Sequence, residues 1–457
     1  MIACLCATAI AIQSLAREAV RVPITWNDTA PLRTHLVARG IASDTFASYV
    51  EQVRESNTDR VREGDLDHLI FYLLQSTRFT SLSPIEPALS AKALVESLDP
   101  PEREAFMRDP ANAMARVPAA VQSRMAALLR ALDSSERDPR LMYFRSLVDS
   151  AFPRRLRSGQ PDGRQREAVL AAEYLRAMKF VYEKEFIAQR SARGAEAVAE
   201  LYRTRGLSTD TAVEAGFLVY QGLGVVRSLE PGRRIRRVLI VGPGLDLAPR
   251  TGFSEERPPE SYQPWAVIDA LLALGLSRLD ALELVAADIN PRVVAHLQRA
   301  AANPPVLTLA SEIRESPTVA LTEEYREYFS RLGRAIGEVS ADPHKTVEVR
   351  EDVARTLRAE RLDVVTERLS GPPFDLAVAT NILPYFDDVA LMFAMTNIAG
   401  MLAPEGIFLH NEARPLMHDV TTALGMPLEQ SRRAIIASVR GAPAPLADSV
   451  FLHRRSR

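Results

Sequence analysis

Several short apolar runs in this chain end on residues able to touch a ligand. Arg237-Val238-Leu239-Ile240-Val241 leads into Gly242-Pro243-Gly244-Leu245-Asp246. A strand ending in Gly-x-Gly lets backbone come close to a nucleotide-like ligand, because no Cβ blocks the approach. Leu282–Ala287 ends on Asp288-Ile289-Asn290. A carboxylate there can accept both hydrogen bonds of a ribose diol, with charge-assisted strength. It can also cap the helix that begins at Pro291-Arg292, a role Asn290 fits equally well. Phe374–Ala379 ends on Thr380-Asn381, and Gly406–Leu409 on His410-Asn411-Glu412. Open α/β sheets bind ligands outside the carboxyl ends of their strands. Polar groups recurring in order at these ends are the functional signal of the sequence.

The rest of the chain bounds what that signal can mean. It has 457 residues, 47% hydrophobic and 25% charged, with a formal net charge of -2. That is enough for two or three domains with ordinary cores. The charge gives no reason to expect nucleic acid or an anionic membrane as partner. Both cysteines, Cys4 and Cys6, lie in the first six residues, which excludes a disulfide framework and a cysteine-based metal site elsewhere. The seven histidines include no His-x-x-x-His pair, so no metal is expected. Residues 1–16, MIACLCATAIAIQSLA, form an apolar run ending in small residues, as a cleaved signal peptide does without its basic start. A buried N-terminal helix is the other reading. No apolar run long enough to span a bilayer follows.

Residues 17–228 are predicted to form a mostly α-helical domain. Leu66, Leu69, Ile70, Leu73 and Leu74 repeat at helical spacing, as do Val121, Met125, Leu128 and Leu132, and Leu170, Tyr174, Leu175, Met178 and Val181. From 229 to 457 strands alternate with helices, which implies parallel βαβ units. The third strand is read at Leu362–Thr366, with Lys345–Val349 as its rival. The last two strands, Arg433–Val439 and Ser449–His453, have no helix between them. The expected fold is therefore α/β: a seven-stranded Rossmann-like sheet with an antiparallel last strand, behind a helical domain. Insertions at 247–261 and 304–361 stand beside the ligand edge, where a lid is expected. A dinucleotide is disfavoured, because the position of the third fingerprint glycine is Leu247.

The segments 238–246 (VLIVGPGLD), 285–290 (VAADIN), 374–388 (FDLAVATNILPYFDD) and 401–412 (MLAPEGIFLHNE) fall in the order of the class I S-adenosylmethionine-dependent methyltransferases. The chain resembles that family over about 230–457. Asn381-Ile382-Leu383-Pro384-Tyr385-Phe386 is also similar to a segment of chemotaxis-type protein-glutamate methyltransferases. The resemblance implies S-adenosylmethionine as cofactor and a small-molecule or protein side chain as acceptor. It implies that Gly242, Pro243, Gly244 and Asp246 pass the methionine part, Asp288 holds the ribose, and Ile289 lies on adenine. Glu367 or Arg368 would edge the adenine, Thr380 and Asn381 would sit near the sulfonium, and Tyr385 would face the acceptor. His410 is a candidate base, against the alternative of a packed histidine.

Two departures stand out. The family's acidic residue two places before the first glycine is Ile240 here, and the third glycine of its turn is Asp246. Gly244 and Asp288 also stand 44 residues apart, against about 20 in a minimal unit. A cytoplasmic enzyme is the expectation for this cofactor. An exported, non-catalytic protein that keeps the fold is the alternative suggested by Ile240 and residues 1–16.

Overall fold

The computed structural model describes residues 19–110, 116–134, 138–150, 163–190, 194–247, 258–341, 344–442 and 444–457. The signal-like residues 1–16 and most of the 247–261 insertion lie outside the described residues. Among the described residues no helix is long and apolar enough to cross a membrane.

The first half is helical after a short strand, β1 (Arg21–Pro23). Its helices are α1 (Arg33–Val37), α2 (Phe46–Gln75), α3 (Pro87–Glu96), α4 (Pro100–Arg108) and α5 (Ala119–Asp133). They continue with α6 (Pro139–Ser150), α7 (Gly163–Tyr182), α8 (Gly194–Thr204) and α9 (Val213–Leu229). The second half of α2 packs with α3–α7 around Leu69, Leu73, Leu128, Phe144 and Leu170, all fully or nearly fully buried. Leu247, just past the glycine turn, joins that core.

The second half is built on an eight-stranded sheet. The strands are β2 (Arg237–Val241), β3 (Glu283–Asp288), β4 (Val306–Leu309), β5 (Val319–Leu321), β6 (Gly337–Ser340), β7 (Lys345–Val349) and β8 (Leu357–Arg361). Then come β9 (Glu367–Leu369), β10 (Phe374–Ala379), β11 (Leu402–His410), β12 (Leu428–Val439) and β13 (Leu446–Arg454). The large sheet runs β5-β12-β13-β11-β10-β2-β3-β8. Pairing is parallel from β11 through β8 and antiparallel around β13. The parallel sheet closed by an antiparallel hairpin is thus present, with an eighth strand, β5, donated by the second insertion. From β2 the chain steps outward to β3 and β8, then returns to β10 and β11 on the other side. The topological switch point lies between β2 and β10, where α/β sheets place their ligands.

Period-two alternation divides the strands between two cores. Val238, Ile240, Leu284, Ala286, Leu376 and Val378 face one, with α9 and the helices α10 (Gln263–Ala273) and α11 (Pro291–Ala302). Leu239, Val241, Val285, Ala287, Ala377 and Ala379 face the other. That second core is filled by α14, below, and by Ile24, Leu32, Leu36, Phe46 and Val50 of the first half. β1 pairs with β9. Packing therefore runs across residue 228 on both faces of the sheet. The remaining helices are α12 (Glu323–Arg331), α13 (Glu351–Ala354), α14 (Asp388–Met401) and α15 (Pro415–Ala423).

Two expectations need correction. The third parallel strand is β8, five residues earlier than Leu362–Thr366, and Leu362 onward forms the loop after it. β7 is a strand, yet it belongs to a separate three-stranded sheet, β4-β7-β6. That small sheet packs through Leu307, Leu309 and Val347 against α10's side of the core. The second insertion is therefore no lid.

Candidate functional site

A cavity of about 380 Å³ opens at the switch point. Its floor is the carboxyl ends of β2, β3, β8 and β10: Gly242, Pro243 and Gly244, then Asp288, Ile289 and Asn290, then Leu362, Asp363 and Val364, then Thr380, Asn381 and Ile382. Its cover comes from the helical half: Asn57 and Val61 of α2, Tyr202 of α8, and the segment Arg205–Thr211.

The glycine turn is shaped for close approach. Gly242 and Gly244 have φ of +68° and +73°, the left-handed region that favours glycine. A Cβ on Gly242 would stand 2.3 Å from Ile382 Cγ2, and one on Gly244 would stand 2.7 Å from the Thr209 carbonyl oxygen. The turn is pinned on both sides. Gly242 N–H donates to the Ala287 carbonyl at 2.9 Å, and Leu245 N–H to the Thr209 carbonyl at 2.7 Å. Ile240 is fully buried in the apolar core below the turn. Its side chain points away from the cavity, so the missing acid of the family pattern leaves no gap in the wall. Asp246 pairs with Glu260 in an isolated bridge and is not among the cavity residues.

Asp288 lines the cavity while only 5% exposed. Asn290 is the cap of α11: its side chain accepts from Arg292 N–H at 2.9 Å. Asp288 is thereby released from capping, and its Oδ1 accepts the Asn290 N–H at 2.8 Å. Burial raises its pKa from 3.8 to about 6, opposed by the backbone N–H groups of Asn290 and Gly244. A ligand hydroxyl that donates to this carboxylate replaces the water it lost on folding.

Thr380 is held by Gln263, whose Nε2 donates to the Thr380 hydroxyl. Asn381 has a φ of +62°, an uncommon state for a non-glycine residue that costs of order 1–3 kcal/mol. It is paid for by a mutual hydrogen bond with Asn411, at 2.9 Å from Asn381 N–H and 2.7 Å to its Oδ1. The next turn, Leu383–Phe386, is gripped by two guanidinium groups. Arg60 donates to the Tyr385 carbonyl at 2.9 Å. Arg414 donates to the Phe386 and Leu383 carbonyls at 2.8 and 2.7 Å. Tyr385 lines the cavity edge-on to Tyr202, ring centroids 5.3 Å apart. Burial raises its phenol pKa, against the nearby charge of Arg205.

The geometry thus gathers Gly242, Pro243, Gly244, Asp288, Ile289, Thr380, Asn381 and Tyr385 into one cavity. It leaves out four other residues singled out from the sequence. Glu367 and Arg368 sit on β9, which pairs with β1, and Arg368 forms an ion pair with Asp28 at 3.0 Å. The strand expected to end on them ends at Arg361, so neither lines the cavity, though Glu367 Oε1 accepts from Asp363 N–H behind its wall at 3.3 Å. Asp246 is the third. His410 is the fourth, stacked on His453 with centroids 4.9 Å apart and 1% exposed. Burial drives its pKa well below 6.5, so it is the packed histidine rather than a base for a ligand.

Sequence reading missed Asn57, Tyr202, Arg205, Asp210, Gln263 and Asp363. Asp363 accepts from Asn57 Nδ2 at 3.1 Å. It follows β8 by two residues, so correct placement of that strand would have exposed it. Among the described residues no cluster of metal-binding side chains is present.

No protein-family model and no curated protein sequence matches this chain. Solved structures similar to it include the N-methyltransferase NodS from Bradyrhizobium japonicum WM9 in complex with S-adenosyl-l-homocysteine. That match has 14% identity and a TM-score of 0.28, over 57% of this chain and 97% of that one. Magnesium protoporphyrin IX methyltransferase (ChlM) from Synechocystis PCC 6803 with bound SAM matches at 8% identity and a TM-score of 0.28, over 57% and 96%. The glycopeptide N-methyltransferase MtfA matches at 11% identity and a TM-score of 0.29, over 53% and 90%. With scores this low, the functional assignment rests on the strand order and cavity of this chain.

Proposed function

We propose that this chain transfers a methyl group from S-adenosylmethionine to a small-molecule or protein side-chain acceptor. One observation carries the reading. A glycine turn at positive φ and a buried carboxylate meet in one cavity at the switch point. Gly242 and Gly244 give backbone access for the amino-acid part of the cofactor. Asp288 is placed for the ribose diol, whose two hydroxyls satisfy a carboxylate that folding has desolvated. Ile289 offers an apolar face for the adenine, with Asp363 beyond it.

When bound, the cofactor supplies an electrophilic methyl on sulfur, and the acceptor's lone pair displaces the thioether. The protein's part is alignment and exclusion of water. Thr380, Asn381 and Tyr385 border the position where acceptor and sulfur meet. None of these residues has to move a proton when the acceptor is already nucleophilic.

Titration calorimetry with S-adenosylmethionine and S-adenosylhomocysteine tests the reading. Binding should be saturable and should fall strongly in Asp288→Ala, with the fold intact by circular dichroism. Absence of binding at millimolar cofactor would overturn it.

A further inference from the structure

Arg205 is a charged group that the cofactor reading does not use. It lies just after α8, outside the stretch that resembles methyltransferases. Its side chain is 7% exposed and its Nε donates to Asp67 at 3.0 Å. Its guanidinium lies over the Phe180 ring, 4.2 Å from the centroid, and beside the Tyr202 ring at 5.8 Å. Arg205 lines the cavity, and among the described residues its two η-nitrogens make no hydrogen bond.

The charges around it are nearly balanced. Asp67 is shared, taking Arg176 at 2.7 Å as well as Arg205. Arg176 also pairs with Glu173 at 2.7 Å. Two cations and two anions balance there. Arg60 adds a third cation, which faces Glu63 and Asp387 and donates to the carbonyls of Arg205, Tyr202 and Tyr385. Arg205 is the only cationic side chain among the described residues that line the cavity. The rest of the cavity wall carries Asp210, Asp288 and Asp363. Asp210 is tied to His68 at 3.3 Å and accepts from the Ser208 hydroxyl at 2.9 Å.

We propose that Arg205 is a specificity residue that docks a ligand carboxylate through its two η-nitrogens, beside the Tyr202–Tyr385 ring pair. A guanidinium fork matches a planar carboxylate in bidentate geometry. A phosphate dianion fits less well, because three carboxylates share the same cavity. The carboxylate has two possible sources: the amino-acid end of the cofactor, or the acceptor. The inference rests on the methyltransferase reading for the other occupant of the cavity.

Calorimetry on the full chain separates these cases, using S-adenosylhomocysteine and 5′-methylthioadenosine, which lacks the amino-acid end. The proteins are the wild type, Arg205→Gln and Arg205→Lys. A cofactor carboxylate on Arg205 gives at least tenfold weaker S-adenosylhomocysteine binding in Arg205→Gln, with methylthioadenosine unchanged. An acceptor carboxylate leaves both nucleosides unchanged. Benzoate or glutarate then binds S-adenosylhomocysteine-saturated wild type and at least tenfold more weakly the saturated Arg205→Gln.

Equal weakening of both nucleosides in Arg205→Gln overturns the proposal, as does no change in any arm. Should Arg205→Gln fail to fold, wild type and Arg205→Lys decide. The proposal falls if wild type binds S-adenosylhomocysteine no tighter than methylthioadenosine and takes up neither acid. It also falls if Arg205→Lys matches wild type in every arm. If wild type binds neither nucleoside, the methyltransferase reading fails by itself. Benzoate and glutarate binding to the apo protein, lost in Arg205→Gln, would then still support the anion site, and no binding would end both.

Discussion

Asp65 in α2 and Asn290 at the end of β3 are joined across 225 residues of chain. Asn290 Nδ2 lies 3.1 and 3.3 Å from the two oxygens of the Asp65 carboxylate. The backbone N–H of the same Asn290 is the one that holds Asp288. Asp65 also accepts from the Tyr143 hydroxyl and from Arg292. One face of α2 repeats this at the four strand ends that floor the cavity. Asn57 holds Asp363 after β8, and Arg60 holds the Tyr385 carbonyl after β10. His68 Nε2 is 3.0 Å from the Thr209 hydroxyl, which donates to the Leu245 carbonyl after β2. Residues 57, 60, 65 and 68 share a helix face by their spacing. That helix is a bar laid across the cavity edge of the sheet, so the helical half is part of the cavity.

Asp65→Ala should therefore damage binding at a distance. The guanidinium of Arg292, 11% exposed, loses its carboxylate. Leaving a buried charge without its partner costs about 3–5 kcal/mol. The expected result is a lower denaturant midpoint and weaker S-adenosylhomocysteine affinity. Asp65→Asn, which keeps an acceptor for Asn290, should recover more affinity than stability. If Asp65→Ala binds as wild type does, α2 has no hold on Asp288.

Asp288→Asn should separate function from stability. The folded pKa of Asp288 is about 6, above its ordinary 3.8, because burial disfavours the anion. Its contribution to stability is present below pH 4 and is lost as pH rises through about 6. At pH 8 the cost is on the order of 2–3 kcal/mol. The amide still accepts from Asn290 N–H and removes that cost. The variant should melt at or above wild type at pH 8, and this advantage should vanish near pH 4. It should also bind S-adenosylmethionine about 10–100-fold less tightly, the worth of hydrogen bonds to a charged group. In wild type, affinity should fall roughly tenfold per pH unit below 6, since the diol binds the anion.

How far the sequence could be read follows from where each element gets its signal. β2, β3, β10 and β11 are buried on both faces, so their apolar runs announce them. β8 is a sheet edge reading Leu-Arg-Ala-Glu-Arg, and its charges hide it. Arg358 pairs with Glu283 at 3.2 Å and with Glu360 at 2.8 Å, so those charges are satisfied within the sheet. The apolar Leu362-x-Val364-Val365 beside it took the strand assignment instead, and Glu367 and Arg368 went with it. The floor of the cavity was legible because it follows strand ends in order. The cover was not, because Asn57 meets Asp363 across 306 residues of chain and Arg205 meets Asp67 across 138, contacts that no local pattern records.

The two glycines of the turn should differ in what they tolerate. Alanine at either position is strained by its positive φ, worth about 1–3 kcal/mol. At Gly242 the clash is with the Cγ2 methyl of Ile382, which can turn about the Cα–Cβ bond. At Gly244 it is with the backbone oxygen of Thr209, which is fixed by its bond to Leu245 N–H. Gly244→Ala should lower the urea midpoint more than Gly242→Ala. The double variant Gly242→Ala with Ile382→Ala, which removes that methyl, should recover part of the loss. Equal midpoints for the two single variants would show that φ alone sets the requirement.

The stacked pair His410 and His453 should set the acid limit of the fold. His453 is 2% exposed and its Nδ1 meets the Met426 carbonyl at 2.9 Å. Burial lowers its pKa from 6.5 to about 4, opposed by that carbonyl. Here the sign is opposite to that of Asp288. The unfolded chain takes up a proton below 6.5 that the fold refuses until about 4, so stability falls as pH drops through this window. The loss is on the order of 3 kcal/mol for His453 alone. His453→Gln keeps a donor for the Met426 carbonyl and does not titrate. Its denaturant midpoint should decline less than wild type's between pH 7 and pH 4.5. Parallel declines in the two proteins would place the acid sensitivity elsewhere in the chain.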